Sequence, residues 1–389
     1  MPAENTKIET RLLDCANKGL VKTVKSFMDS YSKVKEIRPE MIDKAIKQAI
    51  SAAQGHMAKG DEETAEKCWD VVKVLCSSKW NKHQPSQNMM DTALKAATES
   101  YQYHLVDSLC HLRAPAKSPS TTALDKALEL ATEMGLQSKK FKVLKTLCTI
   151  EDPTPKPGQE AVDEAFTNLA QARNWKTVEW MCSKMHQDNK PSQMAVSYAL
   201  RVAAENKDWG VFQSLFHYQQ PDWRSAGLLL HLAAKTGAME GVQLLSQLTS
   251  ENQPNASRYK ESIKAAKDAG HQDVVRYLSC DLICKNKTAA DPLDRTVALL
   301  DDYLTHTNPV KGFFSNSVKE ISMIFQDLKR GSKNLISDEE RSGAVVSAVN
   351  RLKSISSISN DSAWISRIQY IEDHNQDLND LHLVELPNL

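Results

Sequence analysis

Apolar residues in this chain recur at three- and four-residue spacing, in short runs separated by Pro, Gly or charged breaks. That is the period of amphipathic helices, and sheet-forming residues are too scattered to build a sandwich or barrel. Trp209-Gly-Val-Phe-Gln-Ser-Leu-Phe216 is one such run. The runs come in pairs that repeat. Pro85-Ser-Gln-Asn-Met-Met-Asp-Thr-Ala-Leu-Lys-Ala-Ala-Thr-Glu99 aligns without a gap over Pro191-Ser-Gln-Met-Ala-Val-Ser-Tyr-Ala-Leu-Arg-Val-Ala-Ala-Glu205 at an offset of 106 residues, and the register continues from Leu109 to Leu215. Ala93, Ala127, Ala165 and Ala199 mark the intermediate units at steps of 34, 38 and 34, and Trp175 and Trp209 are 34 apart with Tyr103 at the matching place.

Each unit reads as two helices, the first carrying a pair that ends in Ala (Ala96-Ala97, Leu130-Ala131, Leu169-Ala170, Ala203-Ala204, Ala233-Ala234), small enough for close helix approach. Pro85, Pro115, Pro119, Pro153, Pro155, Pro157, Pro191, Pro221 and Pro254 fall at the junctions, where a residue that cannot continue a helix interior marks a turn. Eight units are predicted, starting near residues 10, 45, 93, 127, 165, 199, 229 and 262, the second about 14 residues longer than its neighbours.

His231-Leu-Ala-Ala-Lys-Thr-Gly237-Ala-Met-Glu-Gly-Val-Gln-Leu-Leu245 resembles the core of an ankyrin repeat, and Ala269-Gly270-His271-Gln-Asp-Val-Val-Arg-Tyr-Leu278 resembles the next. Gly237 and Gly270 are 33 residues apart, the ankyrin period. Cys15-Ala16-Asn-Lys-Gly19-Leu-Val-Lys-Thr-Val24 resembles the same pattern, and the units between are degenerate. None has the full Thr-Pro-Leu-His start, and Pro-rich loops stand where ankyrin arrays carry Asp/Gly-rich fingers. The resemblance implies an all-α solenoid of about eight degenerate ankyrin-like helix pairs over residues 1–285, binding a protein through the concave surface that stacked repeats form.

Residues 286–380 leave the repeat and predict a C-terminal helical bundle that caps the array, with 381–389 an exposed tail. Phe314, Val318, Ile321, Phe325 and Leu328 predict an amphipathic helix ending at Gly331. Ser337 and Glu340 form a capping-box pattern opening a helix with Val345, Val346, Val349 and Leu352, and a further helix holds Trp364, Ile365, Ile368 and Ile371. Leu278 to Leu293 is expected to pack the last unit onto the bundle, because a solenoid end needs a cap. Leu299-Leu-Asp-Asp-Tyr303 with Gly312-Phe-Phe314, Val318 and Ile321 is similar to a helical region near the C-termini of type IV secretion effectors of intracellular bacterial pathogens. The tail Leu381-His-Leu-Val-Glu-Leu-Pro-Asn-Leu389, after Glu372, Asp373, Asp377 and Asp380, resembles the hydrophobic end such a machine reads. That resemblance implies a translocated effector binding a host protein in the host cytosol. An endogenous cytosolic scaffold is the alternative without secretion.

The 389 residues carry 49 Lys and Arg against 49 Asp and Glu. A net charge of zero argues against the strong, salt-sensitive phosphate binding of a basic protein, so no nucleic-acid partner is expected. The first residues lack the basic and apolar regions of a secretory signal. The longest apolar stretch, Ala226 to Ala234, is interrupted by His231 and flanked by Arg224 and Lys235, too short to span a membrane. Eight Cys in a chain of this length suggest no disulfide scaffold and fit a reducing cytosol.

Cys76, Cys110, Cys148 and Cys182 recur in step with the units, which predicts a buried row of small apolar side chains. Cys280 and Cys284, with His271 upstream, are too few to complete a tetrahedral zinc set. No cofactor or metal is expected. In the ankyrin resemblance His231 matches the His that braces the turn, and His271 matches the Gly-His that links the helices. Gly-rich phosphate loops and metalloprotease or kinase signatures are missing, yet triad members meet only in space. A Cys- or Ser-dependent enzyme with its site in or beside the bundle therefore stays open.

Two features point to binding. Trp180 aligns with Ser108, Thr146 and Ser214, all polar, so it is either an interface anchor or locally packed against Trp175. The first-helix row Lys95, Glu129, Thr167, Arg201, His231 and Lys264 changes chemistry at each step while nearby Ala positions stay small. It lines a polar groove or forms an ordinary solvated face.

Overall fold

A computed structural model describes residues 2–31, 38–77, 79, 84–112, 117–150, 155–185, 189–248, 251–289, 291–306, 316–335, 337–355 and 362–382. Among the described residues every regular element is a helix, 20 in all. The all-α class read from the periodicity is therefore what the structure shows. Sixteen helices form eight successive helix–turn–helix pairs: α1 (Pro2–Asn17) with α2 (Val21–Tyr31), α3 (Pro39–Ala58) with α4 (Glu62–Leu75), α5 (Gln87–Glu99) with α6 (Tyr103–Cys110), and α7 (Thr121–Ser138) with α8 (Lys142–Cys148). Next come α9 (Gln159–Gln171) with α10 (Trp175–Lys184), α11 (Gln193–Glu205) with α12 (Trp209–Tyr218), α13 (Trp223–Thr236) with α14 (Met239–Ser246), and α15 (Ala256–Asp268) with α16 (Gln272–Asn286). Four further helices follow: α17 (Pro292–His306), α18 (Asn316–Asn334), α19 (Asp338–Lys353) and α20 (Ser362–His382).

Two compact units divide these helices, one of Met1–Ala203 with Ser214–Gln220, the other of Ala204–Gln213 with Pro221–Leu389. In the first, α1, α3, α5, α7 and α9 each pack on the next, and α2, α4, α6 and α8 do the same. The described junction prolines lie outside the helices, while Pro115 and Pro153 fall outside the described residues.

The turn inside every pair passes through one left-handed residue: Gly19, Gly60, Tyr101, Lys139, Arg173, Lys207, Gly237 and Gly270, with φ from 55 to 84°. The chain closes behind several of them by a Schellman bond, the amide one residue beyond reaching back five positions. Gln102 N–H thus donates to Ala97 at 2.8 Å, Asn174 to Leu169 at 2.9 Å, Ala238 to Ala233 at 2.9 Å and His271 to Ala266 at 2.9 Å. Four of the eight positions carry a Cβ against the left-handed preference. At Tyr101 the hydroxyl compensates by donating to the Met134 carbonyl at 2.8 Å. Lys139 and Lys207 are exposed, so Lys139→Gly and Lys207→Gly should each stabilise the protein by about 0.5–1 kcal/mol. Denaturant midpoints of the single variants check this.

Adjacent pairs are tied by a second recurring device. Asp43 accepts the Ser86 N–H at 2.9 Å, Asp125 the Gly158 N–H at 2.6 Å and Asp163 the Ser192 N–H at 2.8 Å. Asp91 accepts both the N–H and the hydroxyl of Ser120, each at 2.8 Å. A carboxylate of one first helix thus holds the N-terminus of the next, where unsatisfied amides and the helix dipole favour an anion. The recurring Pro-Ser-Gln and Pro-Gly-Gln strings supply the other strand of this tie. Gln87 donates to the Ser118 carbonyl at 2.9 Å, Gln159 to Lys190 at 2.9 Å and Gln193 to Gln220 at 3.1 Å. In α11 the Asp position is Ser197, buried, with its hydroxyl unpartnered among the described residues.

The four in-register thiols are buried as the recurrence predicts, and free. In the second unit α16 packs against both α17 and α20, with Leu278 and Leu293 fully buried. The segment expected to join the last pair to the bundle is therefore packed, and the 285/286 boundary falls inside this unit. The capping box at Ser337 and Glu340 is present in both directions, at 3.2 and 3.3 Å. One boundary needs correction: α18 does not stop at Gly331 but continues to Asn334. A lone Gly weakens a helix by only about 1 kcal/mol, and the packed apolar face of α18 overrides it. Gly312 to Phe314 and residues 383–389 of the tail lie outside the described residues.

Candidate functional site

Asn88, Asp91, Thr92, Lys95 and Glu99 on α5 face Lys126, Glu129, Leu130 and Glu133 on α7 across an open trough of about 590 Å³. A smaller depression of about 230 Å³ continues from α7 to α9, where Glu160, Glu164 and Asn168 face Asp125, Lys126 and Glu129. The Asp ties explain the trough: they clamp the ends of neighbouring first helices, while the buried small residues Ala93, Ala127 and Ala165 let the backbones approach. Carboxylates dominate the lining. Glu129, Glu133, Glu160 and Glu164 are exposed, and none has a basic partner within 4 Å among the described residues. Lys95 lies 3.8 Å from Glu99.

Of the first-helix row, Lys95 and Glu129 line this trough. Thr167 is half-buried on α9 and its hydroxyl donates to the Glu164 carbonyl at 3.0 Å. Arg201 is exposed on α11, its guanidinium 4.9 Å from the centre of the Tyr198 ring. Lys264 is exposed on α15 and His231 half-buried on α13, both in the second unit. Glu133, Glu160 and Glu164 lie outside that row. Their signal in the sequence was the four-residue spacing of Glu129 with Glu133 and of Glu160 with Glu164, which stacks carboxylates on one helix face.

Trp180 is half-buried on α10 and belongs to a different surface. It lines an open depression of about 500 Å³ with Lys176, Glu179, Cys182, Leu215 and Tyr218. The Lys145 ammonium sits 4.8 Å from its ring centre. Of its aligned equivalents, Ser108 and Thr146 are half-buried and Ser214 is exposed.

Six of the eight cysteines lack the surroundings of a nucleophile. Burial pushes the thiols of Cys76, Cys110, Cys148, Cys182, Cys280 and Cys284 up to about 12, so the reactive thiolate is scarce at neutral pH. Among the described residues no three His, Cys, Asp or Glu side chains converge as a metal site would require. A polar cluster around the buried Asp281 joins α15, α16 and α20 within the second unit. His271 stands at the start of α16, its ring so close to Gly237 that a Cβ there would lie 2.5 Å from Nδ1. No described helix is long and apolar enough to cross a membrane. Compared with known proteins, the chain matches no family model and no curated protein.

Proposed function

We propose that this chain is a protein-binding module of stacked, ankyrin-like helix pairs, and that the trough over α5, α7 and α9 receives a segment of a partner rich in Lys and Arg. The observation that carries this reading is the row of carboxylates Glu129, Glu133, Glu160 and Glu164, without basic partners among the described residues, along two adjoining depressions that run from α5 to α7 and from α7 to α9 and meet at Glu129. Exposed carboxylates without internal partners contribute little to folding. At an interface they steer a complementary partner and fix its register. The enclosed, protonated thiols favour binding over a cysteine-dependent reaction.

Neutralising the four residues together (Glu129→Gln, Glu133→Gln, Glu160→Gln, Glu164→Gln) should leave the melting temperature nearly unchanged and weaken the partner about tenfold at physiological salt. Affinity capture with the parent and the variant chain, quantified by mass spectrometry, reads this. Equal recovery of every captured protein would sink the trough as the site. As a translocated effector the chain meets that partner in a host cytosol, a reading supported by Leu299-Leu-Asp-Asp-Tyr303 and by the acidic stretch before the tail. Unchanged delivery after removal of residues 370–389 in a translocation assay would refute it.

A further inference from the structure

The second helices of the first unit carry the opposite charge on an aromatic floor. Lys142 of α8 holds its ammonium 3.3 Å from the ring centre of Tyr103 on α6. Lys145, one turn along the same helix, stands over Trp180 of α10 at 4.8 Å. Lys190, before α11, stands over Tyr218 of α12 at 5.1 Å. Three lysine-on-ring pairs thus follow four consecutive second helices. Each ring face attracts and positions the ammonium, and none of Lys142, Lys145, Lys176 and Lys190 has a carboxylate within 4 Å among the described residues. Between the second and third pairs lies the open depression floored by Trp180, Leu215 and Tyr218.

We infer that this depression is a second binding surface, which takes an acidic peptide segment of a partner protein through one apolar or aromatic side chain flanked by carboxylates. Charge complementarity and the floor together define that occupant. Pre-positioned ammonium groups lose less freedom on pairing than free lysines do, and a half-buried Trp ringed by polar side chains has the make-up of an interface anchor. A peptide fits better than a nucleic-acid strand. Glu179 is exposed within the lining and would oppose a backbone charged at every step, whereas a peptide can set a neutral residue there. The zero net charge of the chain points the same way.

The test selects from a random displayed peptide library on the full chain, then follows the selected peptides by the indole N–H resonance of Trp180, assigned with Trp180→Phe. The expected result is enrichment of Asp and Glu beside one aliphatic or aromatic residue, and a shift of the Trp180 resonance. Affinity should fall about tenfold in Lys145→Glu/Lys190→Glu, and less in the neutral Lys145→Gln/Lys190→Gln, which guards against misfolding by charge reversal. Binding should persist when Glu129, Glu133, Glu160 and Glu164 are neutralised, so its fate is separable from that of the trough. The proposal is overturned if no peptide shifts the Trp180 resonance, if those that do are neutral or basic, if both lysine variants keep full affinity, or if oligothymidylate binds there as tightly.

Discussion

Asp281→Ala should destabilise the second unit by about 3–5 kcal/mol, the largest single effect expected in this protein. Asp281 is 6% exposed. Its Oδ2 accepts from the Tyr259 hydroxyl at 2.7 Å and from Lys285 Nζ at 2.8 Å, and its Oδ1 accepts from the Tyr370 hydroxyl at 2.9 Å. Lys285 Nζ also donates to the Ser246 carbonyl at 2.7 Å and to Tyr259. One carboxylate thus holds the last helix pair, α15 and α16, to the final helix α20. Truncation leaves two buried hydroxyls without their acceptor and a half-buried ammonium without its counter-charge, each penalised by desolvation. Burial already holds Lys285 below its ordinary range, against the pull of Asp281. Asp281→Ala/Lys285→Met should therefore recover a good part of the loss, because the pair is costly mainly when halved. Chemical denaturation of the two variants decides it; equal loss in both would place the effect elsewhere.

Acid should loosen the same corner. His374 of α20 stacks on Tyr370 with ring centres 4.0 Å apart, and its Nε2 lies 3.4 Å from the Tyr277 hydroxyl. Burial lowers its pKa below 6.5, with the Arg295 charge acting in the same direction and the Tyr370 carbonyl, Asp281 and Asp373 opposing. Above 6.5 the ring is neutral in both folded and unfolded chains, and its contribution is complete. As pH falls through that value the unfolded chain takes up the proton first, so stability drops until the folded pKa is passed. His374→Phe should flatten the pH dependence of the melting temperature over that window.

In the first unit Asp91→Ala is expected to cost about 2–3 kcal/mol, more than any other of the junction aspartates. Its two oxygens hold the backbone amide and the hydroxyl of Ser120 at 2.8 Å each, whereas Asp43, Asp125 and Asp163 each hold one backbone amide. Hydrogen bonds to an ionised acceptor contribute about 1.5–3 kcal/mol apiece, discounted here because the site is only half-buried. The order Asp91 before Asp125 and Asp163 in urea midpoints checks the reading. Equal, negligible losses would mean the ties follow the packing instead of supporting it.

Much of this architecture is written in the repeat itself. Aligned Ala, Cys and Pro positions marked the two-helix units and their junctions, since close helix packing admits only small residues at fixed places and Pro cannot continue a helix. The Asp ties were present as Asp-x-Ala at Asp43, Asp91, Asp125 and Asp163, and the aligned Pro-Ser-Gln strings carried the glutamine half of the same contact. Left-handed turns were legible only where Gly stood. At Tyr101, Lys139, Arg173 and Lys207 the fold imposes the same φ on side chains that disfavour it, because two packed helices overdetermine the turn between them.

The sites divide along the same line. Sequence determined that Trp180 differs from its aligned neighbours and that Lys95 and Glu129 occupy equivalent positions, because a repeat makes local equivalence visible. Tertiary packing alone decided that Lys95 and Glu129 share a trough with Glu133, that Glu129 shares the next depression with Glu160, that Lys145 and Trp180 meet from different helix pairs, and that Tyr370 and Asp281, 89 residues apart, share a buried bond. Those pairings follow from which helix lies beside which, and periodicity along one chain fixes a residue's own face while leaving open what faces it.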